Sequence, residues 1–166
     1  QEGLLTNDFL KYAPEGYIPA RNLVFYSICA YYAEVLQVQY IVGGHNRGDS
    51  ETFPDASRQF FRHLNALLKL AMWSHAQSET QVLLPLMDLG KDGVVRLGRD
   101  LGVPYGLTWS CYGDAQGPCG RCGSCIERRA AFEAASIPDP LTDFSSQTSG
   151  PQTSDLPMSI LPWSEV

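Results

Sequence analysis

The sequence lacks any apolar run approaching the roughly 20 residues that cross a bilayer, and its opening lacks the basic-then-apolar pattern of a secretory signal. It is also poor in basic charge: 12 Lys and Arg stand against 18 Asp and Glu, a net charge of −6. Broad binding to a nucleic-acid backbone needs clustered cations that displace counterions, so no direct nucleic-acid partner is expected, free tRNA included. These absences point to a soluble, cytoplasmic protein. The chain does not begin with methionine, and natural residues are expected to precede Gln1. What is present suffices for one domain, since 166 residues with 44% hydrophobic content can bury a real core.

Leu23 to Val38 is apolar almost all round and predicts a buried helix, with Pro19 suited to its start. Gln39 to Val42 is short and β-prone, emptying at Gly43-Gly44 into a polar loop, His45 to Thr52. Pro54-Asp55 offers an N-cap for a second helix, whose Phe60, Phe61, Leu64, Leu67, Leu68, Ala71 and Met72 recur at helical spacing. Val82 to Leu86 reads as another strand, with Pro85 confined to its end. A third helix is expected from Lys91 to Leu101, stopping at Gly102, and Val103 to Trp109 as a last extended piece. This alternation implies an α/β fold with right-handed crossovers and a parallel, Rossmann-like sheet covered on both faces. Ligands in such sheets bind beyond the carboxyl ends of the strands, here the loops 43–55 and 86–91. Ser124 to Ala135 predicts a final short helix. The domain is expected to end near residue 135, and 136–166, rich in Pro, Ser and Thr, to be a largely disordered tail.

Four of the five cysteines crowd together: Cys111, then Cys119, Cys122 and Cys125 at CxxC spacing. Four thiolates can close a tetrahedral zinc site, and Gly117, Gly120 and Gly123 let the backbone wrap tightly. Two disulfides or an iron–sulfur cluster are the alternatives. A site with all four positions filled by protein has no room for substrate, so the metal would hold the fold of a knuckle over residues 108–128. Cys29 reads as a small buried hydrophobe. The histidines His63 and His75 are expected to have no role.

The run Thr108-Trp109-Ser110-Cys111-Tyr112, followed by Cys119-Gly-Arg-Cys122-Gly-Ser-Cys125-Ile126-Glu127-Arg128-Arg129, resembles the C-terminal signature of the 7-cyano-7-deazaguanine synthase (QueC) family. Two earlier blocks agree: Tyr17 to Phe25 resembles the family's helix-opening segment, and Gly43-Gly44-His45-Asn46-Arg47 with Thr52-Phe53-Pro54-Asp55 its substrate loop. The loop is closer to archaeal members, because bacterial ones have Asp-Cys-Arg where this chain has Asp55-Ala56-Ser57, with Arg58 one place later. The resemblance implies a PP-loop fold of the adenine nucleotide alpha hydrolase type. It also implies ATP-dependent conversion of 7-carboxy-7-deazaguanine and ammonia to 7-cyano-7-deazaguanine, a precursor of queuosine and archaeosine. ATP with Mg2+ would be the cosubstrate and zinc the structural metal.

On this reading Arg21 and Asn22, at a helix N-terminus, would hold phosphate. His45, Asn46, Asp49 and Asp55 would face the ring of the substrate, Asp55 serving equally well as a helix cap, and Arg58 would join the same binding set. Lys91, placed to meet a phosphate or the acyl adenylate, is the candidate catalytic residue, although a solvated lysine opening a helix fits as well. Arg128-Arg129 reads as a salt-bridged or solvated pair. The family grips phosphates with an N-terminal Ser-Gly-Gly-x-Asp-Ser loop that these 166 residues lack. The chain alone is therefore expected to be a poor catalyst, completed by an N-terminal segment or a partner chain, with a homodimer possible. Two other readings remain: a zinc-stabilised deazaguanine-binding subunit without its own ATP site, and a synthase-like enzyme joining a deazaguanine acid to a macromolecular amine.

Overall fold

A computed structural model describes residues 10, 12–14, 16–73, 79–113 and 117–141. His75 and the expected tail beyond residue 141 lie outside the described residues. In chain order the elements are α1 (Arg21–Leu36), β1 (Tyr40–Val42), α2 (Arg47–Thr52), α3 (Arg58–Ala71), β2 (Gln81–Leu83), α4 (Lys91–Asp100) and α5 (Gly123–Ala135). Short 3-10 turns cover Pro54–Ala56 and Tyr105–Leu107. The strands pair in parallel with Tyr40 opposite Gln81, Ile41 opposite Val82 and Val42 opposite Leu83. The fold is α/β with a small parallel sheet, as the alternation implies. No helix among the described residues is long and apolar enough to cross a membrane.

The main core gathers Tyr26 and Ala33 of α1, Ile41 of β1, Phe61, Leu64 and Leu68 of α3, Val82 of β2 and Met87. The helical spacing in α3 accounts for its share: Phe61, Leu64 and Leu68 recur at three and four residues and stack on one face. Leu67, taken as part of the same stripe, points outward and is exposed. A second cluster joins Val95 of α4 to Ala131, Phe132 and Ala135 of α5, with the Tyr105 ring edge-on to Phe132 at 4.9 Å. The Tyr105 hydroxyl donates to the Val95 carbonyl at 2.6 Å, which fixes the 105–107 turn against α4.

Five expectations need correction. The helix α1 is not buried: Asn22, Tyr26 and Ala33 face inward, while Leu23, Phe25, Ile28, Tyr31, Val35 and Leu36 are exposed. Apolar residues on every face give a helix no preferred side, and the described residues cover one side of it. Cys29 is accordingly exposed rather than a buried hydrophobe. The sheet is likewise open, since Tyr40 and Val42 on one face of β1 are exposed. The loop 45–52 contains the helix α2, and the stretch from Val103 to Trp109 holds a 3-10 turn at Tyr105–Leu107 rather than an extended piece.

The two edges of the sheet differ. The outward N–H and C=O of Val82 both bond the side-chain amide of Asn65 on α3, at 2.7 and 3.2 Å, so a side chain plugs the outer edge of β2. Among the described residues β1 has β2 as its only strand neighbour. Residues 137–141, placed by composition in the tail, return onto the domain, with Asp139 and Leu141 buried.

Candidate active site and metal centre

Beyond the carboxyl ends of β1 and β2 two loops are tied together. The Arg47 N–H donates to the Leu89 carbonyl at 2.9 Å, and the Arg47 guanidinium reaches the Asp88 carbonyl. Gly43 opens the first loop where the chain passes close to Tyr26 and Leu84; a Cβ there would collide with both. Asn46 then starts α2 with a capping box. Its Oδ1 accepts from Gly48 N–H at 2.8 Å, and Asp49 Oδ2 accepts from the Asn46 N–H at 3.0 Å and its Nδ2 at 2.8 Å. Two residues expected to face substrate thus spend much of their hydrogen-bonding capacity on the turn.

His45 packs between Tyr26 and Phe61, with ring centroids 5.9 and 5.0 Å away. Burial pushes its pKa down, and Arg21 adds to that, while Asp49 and Asp55 pull it back. Burial also raises the Tyr26 hydroxyl to about 12, with Cys29 contributing. Asp55 reaches back across the fold: its Oδ2 accepts the N–H of Asn22 at 2.9 Å, capping α1, whose own N-cap Ala20 offers no side-chain acceptor. The α3 cap is instead Ser57, whose Oγ accepts from Phe60 N–H at 3.1 Å. Arg21, Asn22, His45, Asp49 and Asp55 therefore gather at one end of the fold. Asp55→Ala should lower stability by about 1 kcal/mol, the usual worth of a cap, read as a drop in thermal midpoint without change in the metal content.

Arg58 and Lys91 lie apart from that group. Arg58 pairs with Asp88 in the second loop, and Lys91, opening α4, pairs with Glu127 on α5. Lys91 and Glu127 line a groove of about 620 Å³ between Gly44 and Asn46 on one side and Trp109 to Tyr112 with α5 on the other. Arg128 is the salt-bridged residue its setting suggests: Nε and Nη2 meet both oxygens of buried Asp139 at 2.6 and 2.7 Å, and Nη1 donates to Thr108 Oγ1 at 2.8 Å.

The cysteines converge as their spacing implies. All four sulfurs lie within 4.8 Å of one another, with Cys119 and Cys125 4.0 Å apart. Four thiolates about 2.3 Å from one tetrahedral ion sit roughly 3.8 Å apart, so the set is shaped to hold a single metal ion. A disulfide needs sulfurs about 2 Å apart, and all four cysteines are free. A cubane cluster gives each thiolate its own iron and spreads the sulfurs wider than this. Backbone N–H groups of Gly113 and Cys119 donate to Cys111 Sγ at 3.2 and 3.3 Å, and that of Cys122 to Cys119 Sγ at 3.3 Å. Backbone donors at Arg121 and Cys122 draw the Cys119 thiol down to about 6, and those at Cys125 and Tyr112 lower Cys122. Burial pushes Cys125 up to about 12, a cost that a bound cation would remove.

Sequence reasoning missed Ser57, Asp139, Glu127 and Ser110. Ser57 carried a local signal, a serine just ahead of the α3 stripe, and Asp139 a weaker one, as the acid between Pro138 and Pro140. Glu127 is paired with Lys91, 36 residues away, and Ser110 is distinguished only by the burial of its hydroxyl without a partner.

Comparison with known proteins adds the chain's relationships. Residues 5–136 match the family described as queuosine biosynthesis protein QueC. The chain is similar to the 7-cyano-7-deazaguanine synthase of Thermosynechococcus vestitus, at 37% identity over 77% of this chain and 55% of the relative. It is 41% identical to that of Methanothrix thermoacetophila, over 76% of this chain and 56% of the relative. The corresponding Caldicellulosiruptor saccharolyticus protein is 35% identical over 84% of this chain and 59% of its own length. Bacterial and archaeal relatives thus match comparably, and the chain spans a little over half the length of each. With the three sequence blocks, the four convergent thiols and the loops beyond a parallel sheet all falling inside the matched residues, the chain belongs to the QueC family.

Proposed function

We propose that this chain is the substrate-binding and metal-bearing part of an enzyme that converts 7-carboxy-7-deazaguanine and ammonia to 7-cyano-7-deazaguanine at the expense of ATP. The observation that carries the reading is the meeting of the β1 loop, the α4 start and the cysteine knuckle around one groove inside the family match. A carboxylate is a poor acyl donor, so adenylation with loss of pyrophosphate gives it a leaving group. Ammonia then displaces AMP to form the amide, and a second adenylation on the amide oxygen lets AMP leave again as the nitrile forms. The enzyme's task is to neutralise phosphate and orient the acyl group more than to supply a nucleophile.

Arg21 and the N-terminus of α1 are the phosphate side of this arrangement, with Mg2+ bound to ATP itself. Zinc is the metal of the knuckle, closed to substrate by four thiolates. The remaining phosphate donors come from a segment outside these 166 residues. The open edge of β1 and the exposed apolar face of α1 are where such a strand and its helix would pack, because Asn65 blocks the other edge of the sheet. That segment either belongs to the same polypeptide or is a second chain, in which case this chain is a deazaguanine-binding subunit.

The test is pyrophosphate release from Mg-ATP on adding the acid, with this chain alone and with the chain co-produced with a Ser-Gly-Gly-x-Asp-Ser segment from a family member. Release that needs both acid and segment is the expected result. Equal release without the acid, or none in either preparation, would overturn the proposal.

A further inference from the structure

The loop that was expected to read the substrate ring has little left to read it with. Asp49 is engaged in the α2 capping box and Asp55 in capping α1, and neither lines the groove. The groove has a different set of polar groups. Among the described residues, Ser110 Oγ is the one buried side-chain polar atom without a hydrogen-bond partner, and it lies in the groove wall. Buried hydroxyls are normally satisfied, and one left open beside a cavity is a place for a ligand atom. Lys91 and Glu127, which line the same groove, form an ion pair with their side chains 42% and 60% exposed, near enough to solvent to exchange partners. Trp109 and Tyr112 add exposed aromatic faces, Trp109 being steadied by its Nε1–H donating to the Cys111 carbonyl at 2.8 Å. A volume of about 620 Å³ accommodates a small planar ligand with water around it.

Resting on the function proposed above, we infer that the knuckle is one wall of the substrate site, where the Lys91–Glu127 pair and Ser110 recognise the guanine-type edge of the deazaguanine acid. That edge presents a carbonyl acceptor beside two N–H donors. An ammonium beside a carboxylate is its complement: Lys91 Nζ donates to the ring carbonyl, and Glu127 accepts from the ring N–H and the exocyclic amino group. Ser110 Oγ, in the lining of the same groove, supplies the remaining hydrogen bond. No bond is made or broken in this step. Lys91 is on this assignment a binding residue, and the metal acts on specificity only by holding the Trp109 to Tyr112 segment in place.

The experiment is titration calorimetry of the metal-loaded protein with 7-carboxy-7-deazaguanine and with its analogue lacking the exocyclic amino group. The wild type should bind the parent acid about ten-fold more tightly than the analogue, the worth of one good polar contact. Glu127→Gln should erase that preference while changing affinity for the analogue less, and Ser110→Ala should weaken both ligands about ten-fold. A Glu127→Gln protein that keeps the full preference, or that loses affinity for both ligands equally, would overturn the assignment and leave the proposed function standing. A wild-type protein that binds neither acid would overturn both.

Discussion

Stripping the metal, or replacing one of its ligands by Cys122→Ser, should unfold the segment from Trp109 to the start of α5 and leave the α1–β1–α3–β2 core folded. The free energy of binding a structural tetrathiolate metal, about 10–16 kcal/mol in small zinc domains, far exceeds what this segment can recover by packing. Among the described residues from Cys111 to Cys125 only the two end ligands, Cys111 and Cys125, are buried, and both belong to the sulfur cluster. Without the cation the four sulfurs have nothing to balance them: backbone donors draw the Cys119 and Cys122 thiols down, whereas burial pushes Cys125 up. Hydrogen exchange with and without a chelator measures the effect: protection should vanish over residues 109–125 and persist in α3. Uniform loss would make the knuckle part of the main cooperative unit instead.

The second large effect concerns Asp139. Removing one partner of a buried ion pair typically costs about 3–5 kcal/mol, because the other charge remains desolvated. Asp139→Ala should fall at about 3 kcal/mol, since Arg128 keeps Thr108 and the Phe132 ring, over which its guanidinium sits at 4.9 Å. Burial alone would raise the Asp139 pKa, but the hydrogen bonds from Arg128 and the Leu141 N–H, with the guanidinium charge, outweigh it and hold the carboxyl below the ordinary range. A pKa lower folded than unfolded makes this contribution fully present above about pH 4, where an unfolded Asp is already ionised. It is lost as pH falls through the folded value. Denaturant midpoints of wild type and variant should therefore differ most near neutrality and converge in acid.

How far the sequence discloses this structure depends on the range of the interactions involved. The helices α3, α4 and α5 are legible because their apolar residues repeat along one face. The cysteine site is legible because its ligands are local and chemically unmistakable. By contrast, α2 has no apolar stripe; it exists through the Asn46–Asp49 capping box and the tie from Arg47 to Leu89. Asp55 does not cap α3, the helix its position suggests; Ser57 does, and Asp55 caps α1 at Asn22, 33 residues upstream. The character of α1 was read as burial, but periodicity reports which faces are apolar and not what covers them. In the site, Lys91 stood out by position, whereas its partner Glu127 is 36 residues away and looks like an ordinary surface acid on α5.

The most direct test of the account is mass spectrometry of 7-carboxy-7-deazaguanine incubated with Mg-ATP, isotopically labelled ammonia and the protein completed by its ATP-binding segment. The account predicts labelled 7-cyano-7-deazaguanine, with the labelled amide as a transient and AMP as the nucleotide product. Consumption of the acid with its carbonyl transferred to a macromolecular amine, and no labelled nitrile, would contradict it.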